Sequence, residues 1–256
     1  DITVIKSKII MIIEQASTSY PFNITEVVKK LNLSTYLKIF IPIIKNYGMD
    51  NGYNYLVLDL LDYSLDNKNI SCNESIKYFI NSLNIIEIIH SKGVLHRDIK
   101  PENFLFGVGI NVKKLYIIDF GLSKRFLDDN NNHIPMKQHK NFTGTIRYLS
   151  TNVHSGNEPS RRDDLISIGY MLMFLLKGVL PWQKITAISK DDKIKNIFRI
   201  KNYYKQHNLS GEYPVFLVDF MNYVYNLKYD DVPNYNMISR FFSNKNANNI
   251  DDTIGK

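Results

Sequence analysis

Apolar residues fall at Val4, Ile5, Ile9, Ile12 and Ile13, a spacing of three and four that predicts a helix over about residues 2 to 15. Asn23 followed by Glu26 has the form of a capping box ahead of Val27, Val28 and Leu31, which predicts a second, short helix. The runs Ile39 to Ile44 and Tyr53 to Leu60 are β-rich and are separated by the turn signal Met49-Asp50-Asn51-Gly52, so they should pair as a hairpin. Ser71 and Glu74 form another box before Ile76, Phe79, Ile80, Leu83 and Ile86, an amphipathic helix that ends near His90 and is stopped by Gly93. Phe104 to Phe106 and Leu115 to Ile118 flank a turn and read as strands. From Asp164 onward the pattern is helical, with further helices near residues 185 to 206 and 213 to 227 and a polar, frayed tail after Phe242.

These elements make an α+β protein, with a small portion over residues 1–60 and a larger helical one over 61–256, divided at the polar stretch from Leu61 to Asn69. The longest apolar stretch, Leu165 to Leu176, is well short of the roughly 20 residues a membrane span needs, and reads as a buried helix. Length and composition, 256 residues with 44% hydrophobic and 22% charged, exclude a low-complexity or disordered chain. Cys72 is the only cysteine, which rules out an internal disulfide and suits an intracellular, reducing setting. The net charge of +7 suggests an anionic partner without choosing among phosphate, nucleic acid and acidic protein. The first residue is Asp1 rather than Met, and the chain reads as cut there.

The chemistry concentrates in VLHRDIKPENFLFG, Val94 to Gly107. Transfer of a phosphoryl group needs a carboxylate to position the attacking hydroxyl, a cation to neutralise the migrating group and an oxygen ligand for a metal; Asp98, Lys100 and Asn103 supply these three. The segment has the H-R-D-x-x-x-x-N spacing of a catalytic loop, between a helix and a strand. A second segment, YIIDFGLSK, places Asp119-Phe120-Gly121 at a strand end, where a hard carboxylate suits Mg²⁺. A third, Asn141 to Gln183, contains G-T-I-R-Y-L-S, S-R-R-D-D-L and L-P-W-Q.

Together with HSKGVLHRDIKPENFLFG and YDDVPNYNMISRFF, these segments resemble the casein kinase 1 family of protein kinases over about residues 54 to 242, with the vaccinia-related kinases as a more distant relation. The resemblance implies a kinase fold and a serine/threonine kinase that uses ATP and Mg²⁺, acts on acidic or already phosphorylated protein substrates, and works as a monomer with neither membrane nor specific nucleic-acid partners. It implies that Asp98 is the catalytic base, Lys100 the γ-phosphate contact, Asn103 and Asp119 the metal ligands, and Thr145 a brace for Asp98 and Lys100. Asp164 would anchor the catalytic-loop backbone, and His96 would pack near Phe120 rather than act as an acid or base. For the nucleotide it implies a hinge at Asp59, Leu60 and Leu61, a gatekeeper at Leu58, and an apolar floor from Leu105 and Ile118. Lys140, Arg161, Arg162 and Lys193 stand at or near positions suited to a substrate anion, although Asp191 and Asp192 weaken the field around Lys193.

The chain also departs from that pattern. No glycine precedes Gly48, and neither a glycine-rich loop nor a V-A-I-K-type strand lysine is present, so the chain is expected to start after those strands, with a partial small lobe of a hairpin and an αC-like helix. In that helix Lys6 stands where the family carries Glu, Glu14 being a substitute about two turns too late, and an insert of about twenty residues spans Ser17 to Lys38. Two readings follow: a stretch of an active kinase, itself weak or inactive, or a pseudokinase that acts by binding proteins. A nucleic-acid binder rests on charge alone, with no zinc spacing, RRM-type motif or basic helix to support it.

Overall fold

The computed structural model describes residues 2–5, 9–15, 40–67, 70–138, 141–207 and 209–243. Residues 2 to 15, expected as one helix, form two antiparallel strands instead, β1 (Ile2–Ile5) and β2 (Ile9–Gln15). The positions that fit a helical spacing lie inside a nearly continuous run of β-branched residues, Ile9, Ile10, Ile12 and Ile13, which a strand tolerates on both faces and a helix disfavours. Strand β2 then pairs along its whole length with β4 (Tyr53–Asp59), Ile9 opposite Asp59 and Gln15 opposite Tyr53. The assignment of this segment to an αC-like helix, with Lys6 or Glu14 in the place of its glutamate, therefore fails. Two strands thus precede the hairpin, where a helix was expected.

The expected hairpin is present, shifted toward its turn: β3 (Ile44–Asp50) pairs with β4 through Asn51 and Gly52. Both turn residues have positive φ, 48° and 77°, the backbone of a two-residue turn that matches strand twist. The sheet order is β1-β2-β4-β3. The short helix expected after Asn23, the whole Ser17 to Lys38 insert, and the tail beyond Ser243 lie outside the described residues.

Beyond Asp59 the chain enters a second sheet, β5-β7-β8, formed by β5 (Leu61–Ser64), β7 (Phe104–Gly107) and β8 (Leu115–Ile117). A two-residue pair, β6 (Val94–Leu95) with β9 (Lys124–Arg125), flanks it. Among the described residues six helices follow: α1 (Cys72–Ser91), α2 (Thr151–His154), α3 (Arg161–Lys177), α4 (Lys190–His207), α5 (Val215–Asn226) and α6 (Tyr235–Ser243). The fold is that of a kinase-like α+β protein, a small β-sheet portion followed by a mainly helical one.

Local chemistry sets the helix ends that hold the site. In α1 the Ser71 hydroxyl accepts the Glu74 amide while the Glu74 carboxylate accepts the Ser71 amide, the reciprocal box read from sequence. Helix α3 starts at Ser160, whose amide donates to the Asp163 carboxylate at 2.8 Å, and stops at Gly178, whose φ of 70° suits a residue without Cβ. Eleven consecutive residues of α3, Asp163 to Met173, are buried, so this helix is the axis of the larger portion, with α1 and α5 packed against it. Gly169 permits that approach: a Cβ there would lie 2.2 Å from Met221 Sδ on α5. The small portion is tied in through Ile41, which is buried in the main core, and through the Ile117 amide, which donates to the Phe40 carbonyl at 2.9 Å.

Candidate active site

Strands β7 and β8 alternate their side chains between two apolar clusters, as the two-residue period requires. Phe104, Phe106, Leu115 and Ile117 enter the main core beneath the sheet, whereas Leu105, Tyr116 and Ile118 join Leu61 and Leu60 in a separate small cluster. The loops at the ends of these strands carry Asp98, Lys100, Asn103 and Asp119, and the rigid sheet fixes where they emerge.

Asp163 and Asp164, adjacent at the start of α3, organise different loops. Asp164 accepts the backbone amides of His96 (2.8 Å, Oδ2) and Arg97 (2.9 Å, Oδ1), so a buried carboxylate holds the backbone of the loop that carries Asp98. Burial pushes the Asp164 carboxyl up, but His90, whose Nε2 lies 3.0 Å from Oδ2, and His96 outweigh it and hold the carboxyl below its ordinary value. The loop that results bends sharply: Arg97 has a φ of 68°, and its Nε donates to the Leu122 carbonyl. Asp163 instead accepts from Ser150 Oγ at 2.5 Å and from Asn152 Nδ2 at 3.0 Å, fixing the start of α2.

His96 is fully buried and packs edge-on against Phe120 at 4.9 Å. Its Nε2 donates to the Ile118 carbonyl at 3.0 Å, and its Nδ1 accepts the Asp98 amide at 3.3 Å, which sets the tautomer. Burial drives the ring below its ordinary value, so it is a neutral strut between the backbones of Asp98 and of the residue preceding Asp119.

Asp98 is 6% exposed and surrounded by donors. Lys100 Nζ donates to Oδ2 at 2.6 Å, while the Thr145 amide and hydroxyl donate to Oδ1 at 2.9 and 2.8 Å. Lys100 Nζ also lies 3.3 Å from Thr145 Oγ1, so the cation bridges the two. Burial raises the Asp98 carboxyl, yet Lys100 and Thr145 overcome that and hold it below its ordinary value, ionised at neutral pH. Asn103 Nδ2 donates to the Asp98 carbonyl at 2.8 Å, which leaves its Oδ1 as the atom able to meet a metal. Asp119 has a φ of 64° and accepts the Gly121 amide at 3.3 Å.

A family model of the protein kinase domain matches residues 10–231. The chain belongs to the protein kinase family. Its fold and its phosphotransfer chemistry follow from that membership, and protein kinases as a family use ATP and Mg²⁺.

Among the described residues no group of three or more His, Cys, Asp or Glu could hold a metal unaided. Asn103 and Asp119 fit the demand that remains, because Mg²⁺ in such enzymes takes one or two protein oxygens and completes its shell with phosphate oxygens and water. Of the residues expected around a nucleotide, Leu58 is 4% exposed on β4, and Leu61, Leu105 and Ile118 meet in the small apolar cluster. Tyr116 belongs to the same cluster and was missed from sequence, although its position two residues before Ile118 on one strand places it on that face. Asp59 ends β4, its carboxylate paired with Lys45 at 2.9 Å and its amide donating to the Ile43 carbonyl at 3.1 Å.

The four basic residues separate. Arg161 donates to the Asp230 carbonyl at 2.8 Å and lies over the Phe126 ring, and Arg162 donates to the Leu227 carbonyl at 3.0 Å; both knit α3 to the segment after α5. Lys140 lies outside the described residues. Lys193 lines a cavity of about 470 Å³ together with Gly144, Thr145, Arg147, Trp182 and Lys190. Arg147 and Lys190 were not singled out from sequence; the G-T-I-R-Y segment contained Arg147 in plain view. No helix among the described residues is long and apolar enough to cross a membrane.

Proposed function

We propose that this kinase domain phosphorylates serine or threonine in acidic or previously phosphorylated proteins, in the manner of the casein kinase 1 family. The observation that carries the reading is Lys100 Nζ set between Asp98 Oδ2 and Thr145 Oγ1 at 2.6 and 3.3 Å. A lysine two residues beyond the catalytic aspartate neutralises the migrating phosphoryl while the carboxylate orients the incoming hydroxyl, and Thr145 fixes the carboxylate's second oxygen. Asp98 takes the hydroxyl proton, Lys100 contacts the γ-phosphate, and Asn103 and Asp119 supply oxygens to Mg²⁺, whose charge offsets that of the nucleotide phosphates. Leu58, Asp59, Leu61, Leu105 and Ile118 frame the adenine. The cavity beside Thr145, with Arg147, Lys190 and Lys193 on its wall, supports a preference for anionic groups near the acceptor residue.

The test is incubation of the chain with ATP, Mg²⁺ and a casein-like acidic protein, followed by phosphoamino-acid analysis. Phosphoserine or phosphothreonine that disappears in Lys100→Met supports the reading, and phosphotyrosine or no dependence on Lys100 refutes it.

One observation favours the second reading, a pseudokinase acting by protein binding. Strand β2, which lies beside β4 and the adenine-side residues, reads Ile-Ile-Met-Ile-Ile-Glu-Gln and contains no lysine, and β1 contains none either. A phosphate cation on that strand is a standard part of protein-kinase chemistry. Under this reading the chain fails to transfer phosphate at any ATP concentration, and a nucleotide leaves its melting temperature unchanged.

A further inference from the structure

Lys201, on α4, is a lysine with 0% exposure, far from solvent and absent from the machinery described above. Burying an ammonium costs several kcal/mol unless its protons are met, so its partners carry information. Nζ donates to the Ile146 carbonyl at 2.8 Å and to the Leu149 carbonyl at 2.6 Å, and lies 3.3 Å from His154 Nε2. The Tyr170 and Trp182 rings lie 5.1 and 5.2 Å away, presenting their negative faces. Three donors thus meet two carbonyls and one imidazole nitrogen, which satisfies an ammonium.

The segment that receives these bonds is a single turn without helix or strand partners. The Tyr148 and Leu149 amides both donate to the Thr145 carbonyl. The carbonyls of the turn are all met by side chains from the helical core: Ile146 and Leu149 by Lys201, Arg147 by Trp182 Nε1 at 2.8 Å, and Tyr148 by Ser167 Oγ at 2.8 Å. Lys201 alone spans the turn, taking its first and its last carbonyl. Thr145, directly before Ile146, delivers two donors to Asp98.

We infer that Lys201 is a positioning residue for phosphoryl transfer, its ammonium clamping the turn from Ile146 to Leu149 so that Thr145 stays in register with Asp98. The inference rests on the phosphotransfer reading of the site for its kinetic consequence only; the structural link from Lys201 to Thr145 holds in an active or an inactive chain.

The experiment is amide hydrogen exchange and steady-state kinetics on Lys201→Met, a substitution of similar length that removes the three donors. The Thr145 amide is expected to exchange about tenfold faster or more while amides in the middle of α3 change far less. The value of kcat is expected to fall about 10- to 100-fold with KM for ATP little changed, as for a misplaced catalytic group. Equal acceleration at Thr145 and in α3 would show only a global loss of stability and overturns the inference, as does an unchanged kcat in a chain whose wild type is active. A wild type with no activity counts against the phosphotransfer reading, and the exchange result still decides the link. Should Lys201→Met not fold, the ¹⁵N-resolved ammonium signal of Lys201 in the wild type decides: protection far beyond that of the exposed Lys195 supports the clamp, and exchange as fast as Lys195 refutes it.

Discussion

Thr145 gives both its amide and its hydroxyl to one oxygen of Asp98, at 2.9 and 2.8 Å, leaving the other oxygen to Lys100. Neither oxygen rotates freely, so the carboxylate faces the position of an incoming hydroxyl in one orientation. Removing the charge with Asp98→Asn should lower the rate of phosphate transfer by about 10² to 10⁴ while the melting temperature moves little, read by initial rates and thermal unfolding. Wild-type rates in Asp98→Asn would exclude Asp98 as the base.

The same donors have a pH consequence. Burial raises the Asp98 carboxyl, and Lys100 and Thr145 hold it below its ordinary value, so the acid limb of the rate profile should lie below the usual carboxylate range. In Thr145→Val the hydroxyl donor is gone, the carboxylate form is less favoured, and the acid limb moves to higher pH. A profile that moves to lower pH, or does not move, contradicts this assignment.

Gly144 offers a sharper steric test of the same region. Its φ is 106°, and a Cβ there would sit 2.6 Å from the Arg97 carbonyl and 3.0 Å from Leu149 Cδ2. The first neighbour is catalytic-loop backbone, which Asp164 holds in place, so the turn must give way. Gly144→Ala should cost about 1–3 kcal/mol in backbone strain and lower kcat on the order of 100-fold through displacement of Thr145. Single-turnover rates alongside melting curves check it; a stable protein with unaltered kcat would mean that the position of Thr145 does not limit the reaction.

The helical portion and the turn of the loop carrying Asp98 were legible because their signals are local. The Ser71–Glu74 box, the Asn51-Gly52 turn and the H-R-D-x-x-x-x-N spacing each act within a few residues, and each recurs in the structure. The first fifteen residues were misread because Ile9 to Ile13 satisfy both periods, and only pairing with β4, some forty residues away, selects the strand. Arg161 and Arg162 were read by charge alone because a sequence gives charge without neighbours; the carbonyls of Asp230 and Leu227 that each meets come from the far end of the domain. Lys201 was invisible for the same reason, one lysine of a basic helix whose inward orientation depends on Ile146 and Leu149.

Lys193 and Arg147 on the cavity wall make the proposed preference for anionic substrates measurable. Lys193 is exposed, so its effect should act through a screened field rather than a fixed contact. Lys193→Ala is expected to raise KM for a phosphorylated peptide roughly three- to tenfold at low salt, with kcat unchanged and the difference largely gone near 1 M salt. An equal rise in KM for an uncharged peptide would place Lys193 outside anion recognition.

His154 gives a stability prediction with a definite sign. Its ring stacks with Phe142 at 6.0 Å and tilts against Phe198 at 5.9 Å, and burial together with the nearby Lys201 ammonium lowers its pKa from 6.5 to about 4. Between those values the unfolded chain binds a proton that the folded chain refuses, so stability is fully present above pH 6.5 and is lost as pH falls toward 4. The limit of that loss is about 3 kcal/mol at about 1.4 kcal/mol per pKa unit, and the ring's partial exposure reduces it. Denaturant unfolding of wild type and His154→Gln from pH 7 to pH 4 reads it directly. The glutamine variant should be less stable at pH 7 for want of the stacked ring, yet should show a shallower decline toward pH 4, so that the two curves converge in acid. Parallel curves would mean that His154 titrates normally in the folded protein and that the Lys201 ammonium is not beside it.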